Sequence, residues 1–307
     1  MHFPISGVTI DPLLLVSLGF VVGILGGLFG VGGSFLAGPA LFALGLPMNF
    51  VVGTDLTHIV GKSIVAARKH WTLGNIDLRL ALVMVIGTLV GIYDGVAAIN
   101  ALKKIGMVNQ VVGCVSIVVY SGISFFVAYE SWRSAKMPLG KKKPSETAAV
   151  HKDKQAFRGF AVWVQELRLG PRIALPFSGI QSISIVAILL VSFVGGAFSA
   201  FLGGGAGYIR MPSMVYLLGI PTHIAVGTDL FEIVVSASYG SYQHAMSGNV
   251  DVLIALIMQT GAAVGAQIGA TLTQYFSGPR LRMAFAPLPL IGAGLIVYGL
   301  LYGHAMK

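Results

Sequence analysis

The sequence predicts an all-α, polytopic integral membrane protein with two homologous halves, each holding about four to five transmembrane or re-entrant helices. The evidence is an apolar composition, a set of long apolar windows and a stretch that is written twice. Of the 307 residues, 55% are hydrophobic and only 10% are charged, whereas soluble globular domains carry about 25% charged residues. Windows long enough to cross roughly 30 Å of hydrocarbon as helix occur at 12–29, 78–101, 107–129, 180–202, 252–276 and 283–302.

The repeated stretch places residues 45–77 against residues 219–251 at a constant offset of 174, with 13 of 33 positions identical and no gap. Some identities are polar residues that shared hydrophobicity would not produce: Thr54/Thr228, Asp55/Asp229, His70/His244, Asn75/Asn249 and Asp77/Asp251. We infer an internal duplication. The predicted domains are a first repeat at 1–130, a basic linker at 131–178 and a second repeat at 179–307.

Each half predicts the same order of elements. A first helix leads into a glycine cluster, FGVGGS at 29–34 and FLGGGAG at 201–207. The apolar segments that follow, at 35–47 and 208–221, are too short to cross comfortably, which indicates broken or re-entrant helices. The helix that carries Gly-Thr-Asp comes next, followed by two further spans.

The basic residues predict the topology. Half of the 20 Lys and Arg lie between Arg133 and Arg172, which is typical of a cytoplasmic loop and argues against nucleic-acid binding as the reason for the net charge of +9. The distribution of the remaining basic residues favours inverted over parallel halves. Inverted repeats with interrupted helices are typical of secondary transporters whose substrate site lies near the membrane midplane.

The linker contains two different segments. KMPLGKKKPSET predicts disorder. The segment AFRGFAVWVQELRL places apolar residues at helical spacing opposite two arginines, in the set Phe157, Phe160, Val164, Leu167, Arg158 and Arg168. It predicts either a helix on the cytoplasmic membrane surface or a helix packed on the transporter itself.

Charged residues inside the helices with Gly-Thr-Asp are the first candidate site. Asp55, His58 and Lys62 are spaced to share one helix face, and Asp229, Glu232 and Ser236 occupy the equivalent positions. A charge in such a helix costs about 2.5–3.5 kcal/mol on insertion scales, so it usually faces a cavity or a partner. One interpretation is a substrate or proton site, with His58, Lys62, Glu232 and Arg210 in coupling or gating. The alternative is structural: Asp55 pairs with Lys62, and both aspartates cap a helix start after glycine.

The glycine clusters are the second candidate site. A helix that begins at a glycine break offers free N–H donors and a favourable dipole for an anion. The predicted substrate-binding set is therefore Gly30, Gly32, Gly33, Ser34, Thr54 and Asp55 with Gly203, Gly204, Gly205, Thr228 and Asp229. Arg210 either supplements the second cradle or extends to the membrane interface.

The remaining motifs predict structure rather than chemistry. His70 and His244 mark a shared turn, after which Asn and Asp cap the next helix. Neither glycine cluster fits a nucleotide P-loop. The sequence shows no metal-ligand spacing and no signature of a Ser-His-Asp or Cys-His catalyst. We therefore expect a protein that is not an enzyme and that has no metal and no cofactor.

These motifs resemble the sulfite exporter TauE/SafE family, also called toluene sulfonate uptake permeases. The resemblance rests on GVGGSFLAGPALFALGLPMNFVVGTDLTHIV and GNIDLRLALVMVIGTLVG, and again on GGGAGYIRMPSMVYLLGIPTHIAVGTDL and GNVDVLIALIMQTGAAVGAQIGA. It implies a multi-pass protein of the plasma (inner) membrane that moves sulfur-containing anions such as sulfite, thiosulfate or organosulfonates. The implied partners are a small anion, the lipid bilayer and a second copy of the chain as a homodimer, with no nucleic acid.

The resemblance has two departures. The family often has serine where Asp55 and Asp229 stand, and the long basic linker is unusual. Two buried carboxylates would repel an anion unless they are protonated or paired, which favours a proton-coupled carrier. Two alternatives remain: a cation-coupled carrier or channel in which Asp55 and Asp229 bind Na⁺ or H⁺ and the substrate is not sulfur-based, or an intramembrane enzyme or linker scaffold.

Overall fold

The structure is a computed structural model that describes residues 1–135, 164–165 and 170–302. The predicted disordered segment and most of the predicted amphipathic helix therefore lie outside the described residues, as does the side chain of Ser34. Val164 and Gln165 are described, and they pack on the protein: Val164 is buried, and Gln165 Nε2 donates to the carbonyl oxygen of Leu218 at 2.8 Å.

Within the described residues the two halves have closely similar element orders. The first half contains the hairpin β1 (His2–Phe3) and β2 (Val8–Thr9), then α1 (Pro12–Phe29), α2 (Ser34–Ala43), α3 (Met48–Thr72), α4 (Leu78–Lys104) and α5 (Val108–Ala135). The second contains the hairpin β3 (Arg172–Leu175) and β4 (Ile180–Ser184), then α6 (Ile185–Leu202), α7 (Gly207–Tyr216), α8 (Thr222–Met246), α9 (Val252–Leu272), α10 (Gly278–Phe285) and α11 (Leu288–Tyr302). Short 3-10 turns precede α7 at Gly204–Ala206 and follow α9 at Thr273–Tyr275.

Seven described helices are long and apolar enough to cross a membrane: Pro12–Phe29, Met48–Thr72, Leu78–Lys104, Val108–Glu130, Ile185–Leu202, Val252–Tyr275 and Arg280–Tyr302. This confirms the prediction of an all-α polytopic membrane protein. One predicted window is wrong in detail, because residues 180–184 form β4 rather than helix. The window 283–302 lies within the span Arg280–Tyr302, and inside it the helix is interrupted between α10 and α11 at Pro287, which cannot continue a hydrogen-bonded helix.

The short helices α2 and α7 have 10 residues each and are therefore about 15 Å long, half of a membrane crossing. Each contains a proline, Pro39 or Pro212. Glycines with positive φ precede both helices, including Gly33 at 72° and Gly205 at 73°, a conformation that other residues rarely adopt. The predicted broken helices are therefore present.

Glycine faces hold four of the long helices at backbone contact. A Cβ added at Gly19, Gly23 or Gly27 of α1 would overlap the backbone of Met258, Ala262 or Ala266 of α9. A Cβ added at Gly87, Gly91 or Gly95 of α4 would overlap α6 in the same way, at Leu189, Phe193 or Ala197. These glycines recur at every fourth position, and this small-residue spacing serves close helix packing. In each helix pair the numbers of the contacting residues rise together along the two helices, so α1 runs parallel to α9 and α4 runs parallel to α6.

The turn after α8 fixes the direction of α9. Lys103 Nζ, near the end of α4, donates to the carbonyl oxygen of Ser247 at 3.1 Å and to Asn249 Oδ1 at 2.8 Å. Helix α9 therefore begins beside the C-terminal end of α4 and runs antiparallel to it. It follows that α1 and α6, which hold equivalent places in the two halves, run in opposite directions.

Candidate functional site

The two glycine breaks, Gly30–Gly33 and Gly203–Gly205, each rest on the Gly-Thr-Asp helix of the other half. A Cβ at Gly30 would lie 2.6 Å from Val226 Cα, and a Cβ at Gly203 would lie 3.2 Å from Val52 Cα. Val226 and Val52 each stand three residues before the aspartate of their helix. Each break is thus placed within about one helical turn of the opposite aspartate.

The two breaks also approach each other. A Cβ at Gly207, the first residue of α7, would lie 2.5 Å from Val31 Cα and 2.7 Å from Asp229 Oδ2. Only glycine leaves room there for the Asp229 carboxylate and the first break. The Gly33 N-cap of α2 has no side chain, and the first N–H groups of any helix lack acceptors within it. The structure therefore brings helix starts, backbone and Asp229 together, as the sequence predicted for a cradle.

Asp55, His58 and Lys62, here called the first triad, form a hydrogen-bonded chain along α3. His58 Nδ1 lies 3.1 Å from Asp55 Oδ1, and Lys62 Nζ lies 3.2 Å from His58 Nε2. These contacts fit a neutral His58 that donates from Nδ1 to the carboxylate and accepts at Nε2 from the ammonium. With Asp55 and Lys62 ionised, the formal charge of the first triad is zero.

Arg210, Asp229 and Glu232, here called the second triad, join α7 to α8. Arg210 Nε lies 2.8 Å from Asp229 Oδ1, an ionic contact without good hydrogen-bond alignment, and Nη1 pairs with Glu232 Oε2. Nη2 donates to the carbonyl oxygen of Gly205 at 2.8 Å, so the arginine also ties down the second break. Since an arginine stays charged, the second triad carries a formal charge of −1 when both carboxylates are ionised.

The structural interpretations that the sequence suggested for these residues are wrong. Asp55 and Asp229 lie well inside α3 and α8, which begin at Met48 and Thr222, so neither caps a helix start. Asp55 reaches Lys62 only through His58. Arg210 does not extend to the membrane interface, because it is 0% exposed and bound by two carboxylates. The sequence could not show this, because the carboxylates that hold Arg210 come from a different helix.

Three carboxylate oxygens of the triads have neither a hydrogen-bond nor an ion-pair partner among the described residues: Asp55 Oδ2, Asp229 Oδ2 and Glu232 Oε1. Glu232 Oε2, in contrast, also accepts from Ser236 Oγ at 3.1 Å. Every side chain of the two triads is at most 2% exposed. The site is therefore closed to solvent in this conformation, and its unsatisfied oxygens face the interior.

Two tyrosines that the sequence analysis did not single out belong to this region. The rings of Tyr120 on α5 and Tyr208 on α7 are 5.2 Å apart and nearly perpendicular, and both side chains are buried. Tyr208 directly follows Gly207, whose position lies against Asp229 Oδ2, and its hydroxyl donates to the carbonyl oxygen of Gly203 at 3.4 Å. The position of Tyr208 directly after the second glycine cluster is the sequence feature that could have indicated its place in this region.

Gln259 of α9 is a second residue that sequence reasoning missed. In the orientation that its neighbours require, its amide nitrogen donates to the carbonyl oxygen of His58 at 2.5 Å and its oxygen accepts from Lys62 N–H at 3.0 Å. A Cβ at Gly61 would overlap this amide. The amide thus lies against the backbone of α3 between two members of the first triad. The equivalent pair in the other half, Val235 and Val85, is apolar, so this contact exists on one side only.

Thr54 and Thr228, predicted to bind substrate, have reciprocal structural contacts. Thr54 Oγ1 accepts from Asp251 N–H, and Thr228 Oγ1 accepts from Asp77 N–H, both at 2.9 Å. Asp77 and Asp251 in turn cap α4 and α9 through Leu80 N–H and Ile254 N–H. The predicted capping role of these aspartates is confirmed, and the threonines hold the capped turns.

His70 and His244 are structural as well, as the sequence predicted. His70 Nε2 lies 3.2 Å from the carbonyl oxygen of Gly27, and His244 Nε2 lies 3.0 Å from that of Ala200. In the part of the chain that the structure describes, no three His, Cys, Asp or Glu side chains converge to hold a metal ion.

Two open cavities lie at opposite ends of α4. One, of about 510 Å³, is lined by Asn100, Lys103, Lys104 and Ser247. The other, of about 550 Å³, is lined by residues around the start of α4, among them Trp71, Asp77 and Arg79. Between these ends, α3 and α8 contact each other at Thr57 and Ser241, whose hydroxyl oxygens are 2.7 Å apart. Both cavities are open depressions at the ends of α4, and none of the described side chains of the two triads lines either of them.

The sequence profile of the family described as "Sulfite exporter TauE/SafE" matches residues 15–296. The chain belongs to the TauE/SafE family. It is accordingly a membrane transporter of TauE/SafE type and a multi-pass integral protein of the cell membrane.

Relatives of this TauE/SafE protein carry transporter names. It is 27% identical over 297 residues to "Probable membrane transporter protein YunE" of Bacillus subtilis (strain 168), covering 94% of this chain and 98% of the relative. It is 24% identical over 277 residues to "Probable membrane transporter protein YjnA" of the same organism, covering 90% and 96%. A 111-residue part, 36% of this chain and 45% of the relative, is 36% identical to "Probable membrane transporter protein YdhB". No solved structure matches.

Proposed function

We propose that the protein is a secondary transporter that exports small sulfur-containing anions, namely sulfite, thiosulfate or organosulfonates, with proton coupling. The observation that carries this proposal is the approach of the two glycine breaks to each other and to a buried carboxylate, at Val31, Gly207 and Asp229. Helix starts at such a break bind anions, and an ionised carboxylate beside them opposes binding. A proton on the carboxylate removes that opposition.

The family membership supports the substrate class, since the matching family is described as sulfite exporters. The predicted homodimer remains a prediction.

Flux measurements in proteoliposomes test this proposal. Vesicles loaded with sulfite, thiosulfate or methanesulfonate should release at least one of these anions, and a pH gradient should change the rate. Empty vesicles measure the leak. Vesicles containing the Arg210→Met variant measure flux without the guanidinium that binds the second break. Wild-type release no faster than that of empty vesicles for all three anions would overturn the proposal.

One observation favours the cation-coupled alternative, in which the substrate is not sulfur-based. The two triads contain three carboxylates but only two cationic side chains, Arg210 and Lys62. An excess of negative charge suits a bound cation. Replacing both Asp55 and Asp229 with serine separates the two functions: retained anion binding with lost coupling supports the anion carrier, and complete loss of a Na⁺ or H⁺ flux supports the alternative.

A further inference from the structure

We infer that the second triad, and not Asp55, binds the coupled proton, and that an anion binds at the glycine breaks only when this proton is present. The inference rests on the proposed function and specifies its coupling residues. The sequence treats Asp55 and Asp229 as equivalent, but their partners differ in the structure.

The first step of the argument is charge balance. The first triad has a formal charge of zero, because the Lys62 ammonium balances its one carboxylate across a neutral His58. Asp55 Oδ2 is also without a hydrogen-bond partner among the described residues, but a proton added there would leave the buried triad with a net positive charge. The second triad has one guanidinium for two carboxylates. An uncompensated buried charge is costly, and a single proton removes it.

The second step is the place for the proton. Glu232 Oε1 and Asp229 Oδ2 have no hydrogen-bond partner among the described residues, and both side chains are fully buried. The other oxygen of each carboxylate contacts Arg210. A proton can therefore bind at either free oxygen without breaking the ion pairs that hold α7 to α8.

The third step lists the groups that face these carboxylates from the surrounding elements. From α7 the neighbour is Arg210. From α4, Thr88 Oγ1 accepts from Arg210 Nη1 at 3.3 Å and its side chain also lies within hydrogen-bonding reach of the Glu232 carboxylate. From α8 itself, Ser236 donates to Glu232. From the first break the neighbour is the backbone of Val31. Arg210 is the one cation in this set, so no second positive charge offsets the second carboxylate.

The fourth step links the proton to the anion. Asp229 Oδ2 lies beside Gly207 and Val31, where the two breaks meet. An anion at these helix starts approaches an ionised Asp229 and is repelled. When the triad holds its proton the repulsion is lost, so proton and anion each increase the affinity for the other. The balanced first triad does not change with this step.

Infrared pH-difference spectroscopy on the purified full chain in lipid tests the proton site without relying on flux. Wild type should show the carbonyl band of a buried carboxylic acid, which grows on acidification. The isosteric variant Asp229→Asn/Glu232→Gln should lose this band, and each single substitution should shift or weaken it. Asp55→Asn is the matched control and should keep it. A band that persists in the double variant, or that disappears in Asp55→Asn, would overturn the inference.

The coupling is tested with thiosulfate and methanesulfonate, whose charge is constant from about pH 6 to pH 8. Either anion should strengthen the wild-type band. At pH values above the pKa of the linked proton, the binding affinity of the anion should rise about tenfold for each unit by which the pH is lowered, as expected for one linked proton. The double variant should bind with no pH dependence. A band that titrates but responds to neither anion would contradict the coupling, whereas pH-independent anion flux in wild type would leave anion transport intact and overturn this inference alone.

Discussion

The ammonium of Lys62 lies 3.2 Å from Nε2 of His58, and through that ring it is joined to Asp55. The histidine therefore separates two buried charges that the structural interpretation of the sequence had paired directly.

Replacing His58 with leucine should destabilise the protein. Leucine removes the two hydrogen-bond contacts that the neutral ring makes to buried charged groups, and leaving such groups unsatisfied costs about 1–3 kcal/mol or more. We expect a lower melting temperature in lipid or detergent. His58→Gln is the control, since its amide can donate to Asp55 and accept from Lys62, and it should recover much of the loss. Equal melting of wild type and His58→Leu would show that the chain of contacts contributes nothing.

Arg210 should not be replaceable by lysine. The guanidinium contacts Asp229, Glu232 and the carbonyl oxygen of Gly205 from three nitrogens, a geometry that an ammonium cannot reproduce. Arg210→Lys should be clearly less stable than wild type, and Arg210→Met should be worse still. Lys104→Met is the control variant, because Lys104 is an exposed lysine that lines the open cavity at the C-terminal end of α4, and this variant should melt like wild type. A normal melting curve for Arg210→Met would show that the ion pairs of Arg210 do not stabilise the protein.

Thr54→Val and Thr228→Val should have equal effects. Each removes an acceptor from one backbone N–H, of Asp251 or Asp77, and leaves a buried donor unsatisfied. The expected loss is about 1–3 kcal/mol of unfolding free energy in both cases. If the threonines instead bind substrate, as the sequence predicted, Thr54→Val will lower anion affinity at unchanged stability. Thermal unfolding and anion titration of the same samples separate the two results.

Gly61 and Gln259 should be energetically coupled. A methyl group at Gly61 overlaps the Gln259 amide, so Gly61→Ala should reduce both stability and transport. In a Gln259→Leu background the same substitution should have a different effect, with an interaction energy of about 0.5–3 kcal/mol. Additive effects in this double-mutant cycle would show that the amide does not contact the helix backbone.

The sequence was sufficient to predict what depends on local chemistry. Helix α1 begins and ends at the predicted residues, because an apolar run between Asp11 and Gly30 has clear start and stop signals. The glycine breaks and the aspartate caps followed for the same reason. In contrast, the strands β3 and β4 and the break at Pro287 were missed, because short strands and a proline within an apolar run give little periodic signal.

The site could be predicted only in part. The repeat indicated that both Gly-Thr-Asp helices matter, but identical positions in the two halves have different partners. Asp55 contacts His58 on its own helix, whereas Asp229 contacts Arg210 on α7. Arg210, Tyr208 and Gln259 enter the region through contacts between elements far apart in the chain, and no spacing rule within one helix reveals such contacts.

The central claim is that a proton on the second triad controls anion movement, and it is tested most directly by flux in proteoliposomes under an imposed pH gradient. We predict that wild type moves thiosulfate or methanesulfonate at a rate that depends on the gradient. Asp229→Asn/Glu232→Gln should lose this dependence, and Asp55→Asn should retain it. Gradient-driven flux that survives in the double variant, or that disappears in Asp55→Asn alone, would contradict the account.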